Sequence, residues 1–229
     1  MKKTGYFALA ILAATAFTSC GVRVYSEKDK VSKRISVRGD FNEIQTLACT
    51  DIEYTDGPAS FTLYAPESQI DKIEIYVQEG TLVVTQKEGK NINGFNNNTH
   101  SKLVVSYPGV SKFTTYGTGD ITIDTSDVKE LTLTTCGTGD IECEGAKCSI
   151  FTATSEGTGD IEVDRLNCVS SYIRTDGTGD IVIKDITADL VDAGTYGTGD
   201  IYLAGKCKTS KLQKEGTGDI ESNKLKEVQ

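Results

Sequence analysis

Six aspartates, Asp120, Asp140, Asp160, Asp180, Asp200 and Asp219, recur at intervals of 20, 20, 20, 20 and 19 residues, each inside the string Gly-Thr-Gly-Asp-Ile. If the strings stack, one carboxylate falls on every rung of a ladder about 4.8 Å apart, where unit charges in water repel by about 0.9 kcal/mol per neighbouring pair. Something must offset that repulsion. Calcium between rungs is one chemistry, with the Thr118 to Thr217 hydroxyls and corner carbonyls as further oxygen ligands. Calcium-binding solenoids, however, carry a Gly-Gly-x-Gly-x-Asp unit of roughly nine residues, unlike this period. The expectation is therefore no metal and no cofactor: each carboxylate accepts backbone N–H bonds at its own Gly-Thr-Gly corner, as turn aspartates do.

The thiols are the second group with chemical potential: Cys20, Cys49, Cys136, Cys143, Cys148, Cys168 and Cys207, with no C-x-x-C pair among them. His100 is the lone histidine and lies in an Asn-rich stretch, which disfavours zinc. Cys148, Cys168 and Cys207 fall in one column of the repeat, with Cys143 nearby. They read as free, space-filling thiols, because adjacent rungs of a flat ladder rarely give a disulfide its dihedral. Cys136, beside a Gly corner, is expected nearer the surface.

No catalytic residue is assigned. His100 has no Ser or Cys partner in a recognisable triad. Paired acids could serve glycoside hydrolysis on a parallel β-helix, but such enzymes need unique acids on long loops, and these acids repeat. The Gly-x-Gly strings are no phosphate site either, since neither a Lys nor a helix follows them.

The elements that carry these residues are strands. After each Asp the chain alternates, as in Ile121-Thr122-Ile123-Asp124 and Ile161-Glu162-Val163-Asp164, the period of a half-buried strand. Aligned units give apolar columns: Ile121, Ile141, Ile161, Ile181, Ile201, Ile220; then Ile123, Cys143, Val163, Ile183, Leu203, Ser222; then Val128, Cys148, Cys168, Ala188, Cys207; then Leu133, Ala153, Ile173, Ala193, Leu212. The fold class is all-β, a right-handed parallel β-helix with coils of about 20 residues, each of two or three short strands. A left-handed hexapeptide helix would need apolar residues six after each Ile, where Asp127, Lys147, Asn167 and Thr187 stand. Corner glycines at Gly117, Gly119, Gly137, Gly139, Gly157, Gly159, Gly177, Gly179, Gly197, Gly199, Gly216 and Gly218 are expected to supply φ > 0 at each sharp turn.

Upstream, Lys2 and Lys3 precede an apolar run from Tyr6 to Phe17 that ends at Thr18-Ser19-Cys20. That run is too short to span a bilayer and fits a lipoprotein signal over 1–19, with Cys20 acylated. Its removal takes away two lysines and no acid from a chain of formal charge −9, so the mature surface repels nucleic acid and the lipid must do the anchoring. Residues 20–34 read as a lipidated tether and 35–116 as degenerate coils or an antiparallel cap on the repeats of 117–229. The stretch Lys90 to Asn98 reads as a mobile loop.

The lipobox, Ile35-Ser-Val, the Gly80-Thr-Leu-Val-Val hairpin, Val-Ser-Tyr107-Pro108 and the repeats together resemble the bacterial auto-transporter adhesin head family, the GIN domain, common as lipoproteins in Bacteroidetes. The family more usually shows Gly-Ser-Gly-Asp-Ile, and the resemblance spans about Phe41 to Ile220. It implies a cell-envelope β-helix, an outer-membrane lipoprotein facing the periplasm or the cell surface. The expected role is a non-catalytic adhesin or binding module whose partners are the membrane, through its lipid, and a glycan or envelope protein. A carbohydrate-active enzyme and a structural envelope protein without a ligand are the alternatives.

Overall fold

The computed structural model describes residues 30–87 and 101–228. Cys20, most of the tether, His100 and the Asn-rich stretch lie outside the described residues. Strands β1 (Lys30–Arg34), β2 (Glu43–Thr46), β3 (Thr50–Thr55), β4 (Ser60–Pro66), β5 (Ile73–Gln78), β6 (Thr81–Gln86), β7 (Ser101–Ser106) and β8 (Lys112–Thr115) precede the exact repeats. The repeats form β9 (Ile121–Asp127), β10 (Glu130–Thr135), β11 (Ile141–Lys147), β12 (Ile150–Ser155), β13 (Ile161–Val163), β14 (Leu166–Asn167), β15 (Ser170–Thr175), β16 (Ile181–Thr195), β17 (Ile201–Lys214) and β18 (Ile220–Glu227). Among the described residues there is no helix.

The strands stack in parallel as a β-solenoid. One side runs β7, β3, β9, β11, β13, then the first parts of β16 and β17, then β18. Another runs β6, β2, β8, β10, β12, β15, then the second parts of β16 and β17. Within a coil the inward alternation slips at Asp124–Thr125, both exposed between buried Ile123 and Ser126, so the chain bends there and begins a short third side.

The repeated columns become the core. Ile121, Ile141, Ile161, Ile181 and Ile201 pair rung on rung and are fully buried. Ile52 and Leu103 extend this spine toward the N-terminal end. The column of Leu133, Ala153, Ile173 and Ala193 continues likewise through Phe113, Ile44 and Leu82. The six-after positions Asp127, Lys147, Asn167 and Thr187 are all exposed. The single-residue deletion in the last unit is absorbed opposite Ile183–Ile186, where Gly205 takes φ +127° and a Cβ would meet the Ile186 carbonyl oxygen at 2.2 Å. Only glycine fits there.

The N-terminal region supplies both coils and cap, but stacking order departs from chain order. The β2–β3 rung lies between the β6–β7 rung and the first repeat rung, β8–β9. The chain thus leaves after β3, builds the outer rung and returns past it. Antiparallel strands close the end: β4 on β7, β1 on β4, and β5 hairpinned to β6 through Glu79 and Gly80, both at positive φ. The tether expected through residue 34 therefore ends earlier, since Lys30–Arg34 hydrogen-bonds along the open edge of β4. Phe41 stacks on Tyr107 at 4.1 Å beneath this cap. Tyr54 donates its hydroxyl to the Tyr107 carbonyl at 2.8 Å, and burial pushes that phenol up to about 12.

At the far end β18 covers only the Ile201–Cys207 part of β17. No described strand follows Thr209–Lys214, and Leu212 is 42% exposed where its column neighbour Ala193 is 1%. Charge guards this edge: Lys208 reaches Asp189 at 2.8 Å and Lys211 reaches Asp192 at 3.9 Å, each one rung back.

Candidate functional site

The repeated corner is built from backbone approach. None of the corner glycines, Gly117 through Gly218, has φ in the left-handed region; that conformation occurs at Gly39, Gly80, Gly109 and Gly205. The expectation of φ > 0 at the corners is thus corrected. Their requirement is steric: a Cβ on Gly137 would lie 2.1 Å from the Gly117 carbonyl oxygen, and one on Gly159 would lie 2.1 Å from that of Gly139. Rungs meet backbone to backbone, leaving no room for a side chain. The intervening threonines, Thr118, Thr138, Thr158, Thr178, Thr198 and Thr217, point outward and are exposed.

Each aspartate bonds across the rungs, not within its own corner as expected. The Asp140 N–H donates to Asp120 Oδ1 at 2.9 Å, Asp160 to Asp140 at 2.8 Å, and Asp180 to Asp160 at 2.7 Å. Asp200 to Asp180 and Asp219 to Asp200 follow, both at 2.7 Å. The geometry follows from parallel register: the carboxylate of one rung lies beside the amide of the next, a charge-assisted bond that offsets the carboxylate repulsion. Some repulsion persists. Burial, and then the Asp120 and Asp160 charges, hold the Asp140 carboxyl above its usual range against the pull of the Asp160 N–H. Burial, Glu162 and the corner acids do the same to Glu142.

The ladder has a seventh member that the repeat string does not reveal. Asp120 donates its N–H to Asp51 Oδ1 at 3.2 Å, and Gly117 and Gly119 pack on Ala48 and Thr50. Ala48-Cys49-Thr50-Asp51-Ile52 is therefore a degenerate corner in which only Asp-Ile remains of the string. A second column is a buried hydroxyl two residues before the first glycine in five of the six strings, Thr115, Thr135, Ser155, Thr175 and Thr195, all at 0% exposure; Lys214 takes that place in the sixth. Thr115, Ser155, Thr175 and Thr195 donate to the second-glycine carbonyl of their own corner, Thr175 at 3.0 Å, while Thr135 reaches Gly159. Thr46 does the same to Thr50 in the degenerate corner. The signal is present in the sequence as a hydroxyl two residues before Gly in five of the six strings.

Outside the corners the sides differ. Beside the isoleucine spine the surface is acidic: Asp124, Glu142, Glu144, Glu162 and Asp164, with Lys184 bridging the last two. The opposite strand stack carries hydroxyls and rings. Thr132 pairs with Thr152 and Thr134 with Thr154, while Tyr172 is 44% and Tyr116 50% exposed. Tyr196 lies flat over Gly194, whose missing Cβ would be 2.7 Å from the ring. The Arg174 guanidinium stands 4.1 Å from that ring's centroid while forking onto Asp176.

Two shallow grooves lie along the short third side. One, of about 390 Å³, runs past Ser126, Gly145, Arg165 and Asp185. The other, of about 480 Å³, runs past Cys148, Cys168, Val169 and Asp189. Each is lined by one carboxylate, so neither offers the acid pair that glycoside hydrolysis requires. No group of three or more potential metal ligands converges among the described residues. The six described cysteines are free; Cys143, Cys168 and Cys207 are buried, and Cys49, Cys136 and Cys148 half-buried.

A family model described as "Putative auto-transporter adhesin, head GIN domain" matches residues 40–166 and again 150–228. Among solved structures, the chain is similar to a Bacteroides fragilis protein described as a putative adhesin, with TM-score 0.66, 21% identity, and coverage of 85% of this chain and 97% of the other. A Parabacteroides distasonis protein described as a putative lipid binding protein is also similar, with TM-score 0.61, 18% identity, and coverage of 84% and 96%. No curated protein matches the chain. At such identities the two structures speak for the fold.

Proposed function

Because this chain belongs to the family described as "Putative auto-transporter adhesin, head GIN domain", we propose that it is a non-catalytic binding module of the cell envelope. In this reading acylated Cys20 anchors it to the outer membrane, and the solenoid presents a repetitive side surface to a glycan or an envelope protein. The binding face is the threonine–tyrosine side together with the exposed corner threonines, where Thr132, Thr134, Thr152, Thr154 and Tyr172 stand in rows at rung spacing. Hydroxyl rows and exposed rings suit the polar and apolar faces of sugar rings.

The observation that carries this reading is repetition. The outward polar groups recur rung by rung, and each groove has one acid. Catalysis asks for a unique, convergent set. Soluble residues 21–229 applied to a glycan array, with a parallel hydrolysis screen on the same sugars, test it. Specific binding that Tyr172→Ala weakens, with no turnover, is the expected result. Turnover abolished by replacing one acid would overturn the reading in favour of an enzyme. Silence in both would overturn it in favour of a structural protein.

A further inference from the structure

We propose that Cys148 and Cys168 form a disulfide that staples two consecutive coils of the solenoid. The two residues occupy the same corner of adjacent rungs: the Cys148 N–H donates to the Asn167 carbonyl at 3.0 Å, and the Cys168 N–H to the Thr187 carbonyl at 3.0 Å. Both stand at the bend that follows a strand, just after β11 and β14, and not in the flat of the ladder, and rung spacing of about 4.8 Å falls inside the Cα separation a disulfide accepts, about 4.4–6.8 Å. The register fixes the two cysteines one above the other, since Lys147 pairs with Asn167 and Asn167 with Thr187 on the next rung. Both line the same 480 Å³ groove beside exposed Val169, so a small oxidant can reach them.

Other pairings fit less well. Cys207 stands opposite Ala188, a rung without a thiol between it and Cys168. Cys136 meets Glu156, Cys49 accepts from Gln86, and Cys143 is buried and donates to the Gly145 carbonyl. Cys148 is half-buried and Cys168 buried, so Cys148 is the sulfur an oxidant meets first and the attacking one. With a low-molecular-weight disulfide as oxidant, the Cys148 thiolate attacks one of its sulfurs and displaces a thiolate. Cys168 then loses its proton and attacks Cys148 Sγ, displacing the second. Two protein thiols become one disulfide, and the oxidant becomes two thiols.

The test uses the purified chain, oxidised with glutathione disulfide, alkylated, denatured and cut with trypsin. Cleavage after Lys147, Arg165 and Arg174 puts Cys148 and Cys168 in separate peptides, 148–165 and 166–174, with Cys143 in neither. The expected result is those two peptides joined, released by dithiothreitol, lighter by two hydrogens than the sum of the two free peptides and carrying no glutathione. Cys148→Ala and Cys168→Ala should lose the link, the remaining cysteine carrying a glutathione adduct; Ala188 already occupies this column, so alanine fits. Oxidation should raise the melting temperature of the native chain and leave that of either variant unmoved. Free or separately glutathionylated Cys148 and Cys168, or a link from Cys148 to Cys143, would overturn the proposal.

Discussion

The backbone amide of Asp160 donates to Asp140 Oδ1 at 2.8 Å, and every corner carboxylate from Asp51 to Asp200 is bound in this way by the amide of the coil that stacks upon it. This makes the aspartate a joint between rungs. Replacing Asp160 with Asn keeps an acceptor oxygen and removes one charge from the ladder. Replacing it with Ala leaves the Asp180 amide without its partner at 2.7 Å. Asp160→Ala is expected to cost about 1 kcal/mol in urea unfolding, and Asp160→Asn appreciably less. Equal losses would point to the charge itself as the requirement.

The corner glycines set how closely coils approach. Gly159→Ala drives a methyl to 2.1 Å from the Gly139 carbonyl oxygen, backbone that cannot yield without separating the rungs. The expected loss is about 3 kcal/mol or more. Gly109, at φ +72° with open space around its missing Cβ, is the control; Gly109→Ala should cost only about 1–2 kcal/mol. The reverse ranking, read from denaturant midpoints, would contradict the steric account.

Acidic strain should show as pH dependence. The carboxyls of Asp140 and Glu142 are both raised in the folded state, chiefly by burial. The folded state therefore holds their protons to higher pH than the unfolded chain does. Their destabilising effect is absent below the ordinary carboxylate range, grows as pH rises through the folded values, and is complete at neutrality. Glu142→Gln should thus stabilise the protein at neutral pH and lose that advantage on acidification. An advantage that stays constant with pH would assign it to packing.

Most of the architecture was legible because the sequence states it six times. The Ile121 and Leu133 columns name the interior, and the fixed interval names the stack. The first rung was not legible. Ala48-Cys49-Thr50-Asp51-Ile52 keeps only two letters of the string, and its neighbours in space, β6–β7 and β8–β9, come well after it in the chain. The role of the glycines is not legible because one residue type serves two needs, and only coordinates separate positive φ from close approach. For the aspartates the sequence points to the correct partner group, a backbone N–H, but not to the coil that supplies it. Sequence gives the alternation within a unit, whereas a bond between units depends on how far each coil is offset along the axis.

The central claim is that the repeated corner serves the stack and holds no metal. Melting the purified chain in EDTA and again with millimolar calcium tests it most directly. The account predicts melting temperatures within a few degrees of each other, since the corner carboxylates already accept amides from the next rung. A large rise with calcium, reversed by EDTA and lost in Asp160→Asn, would contradict it.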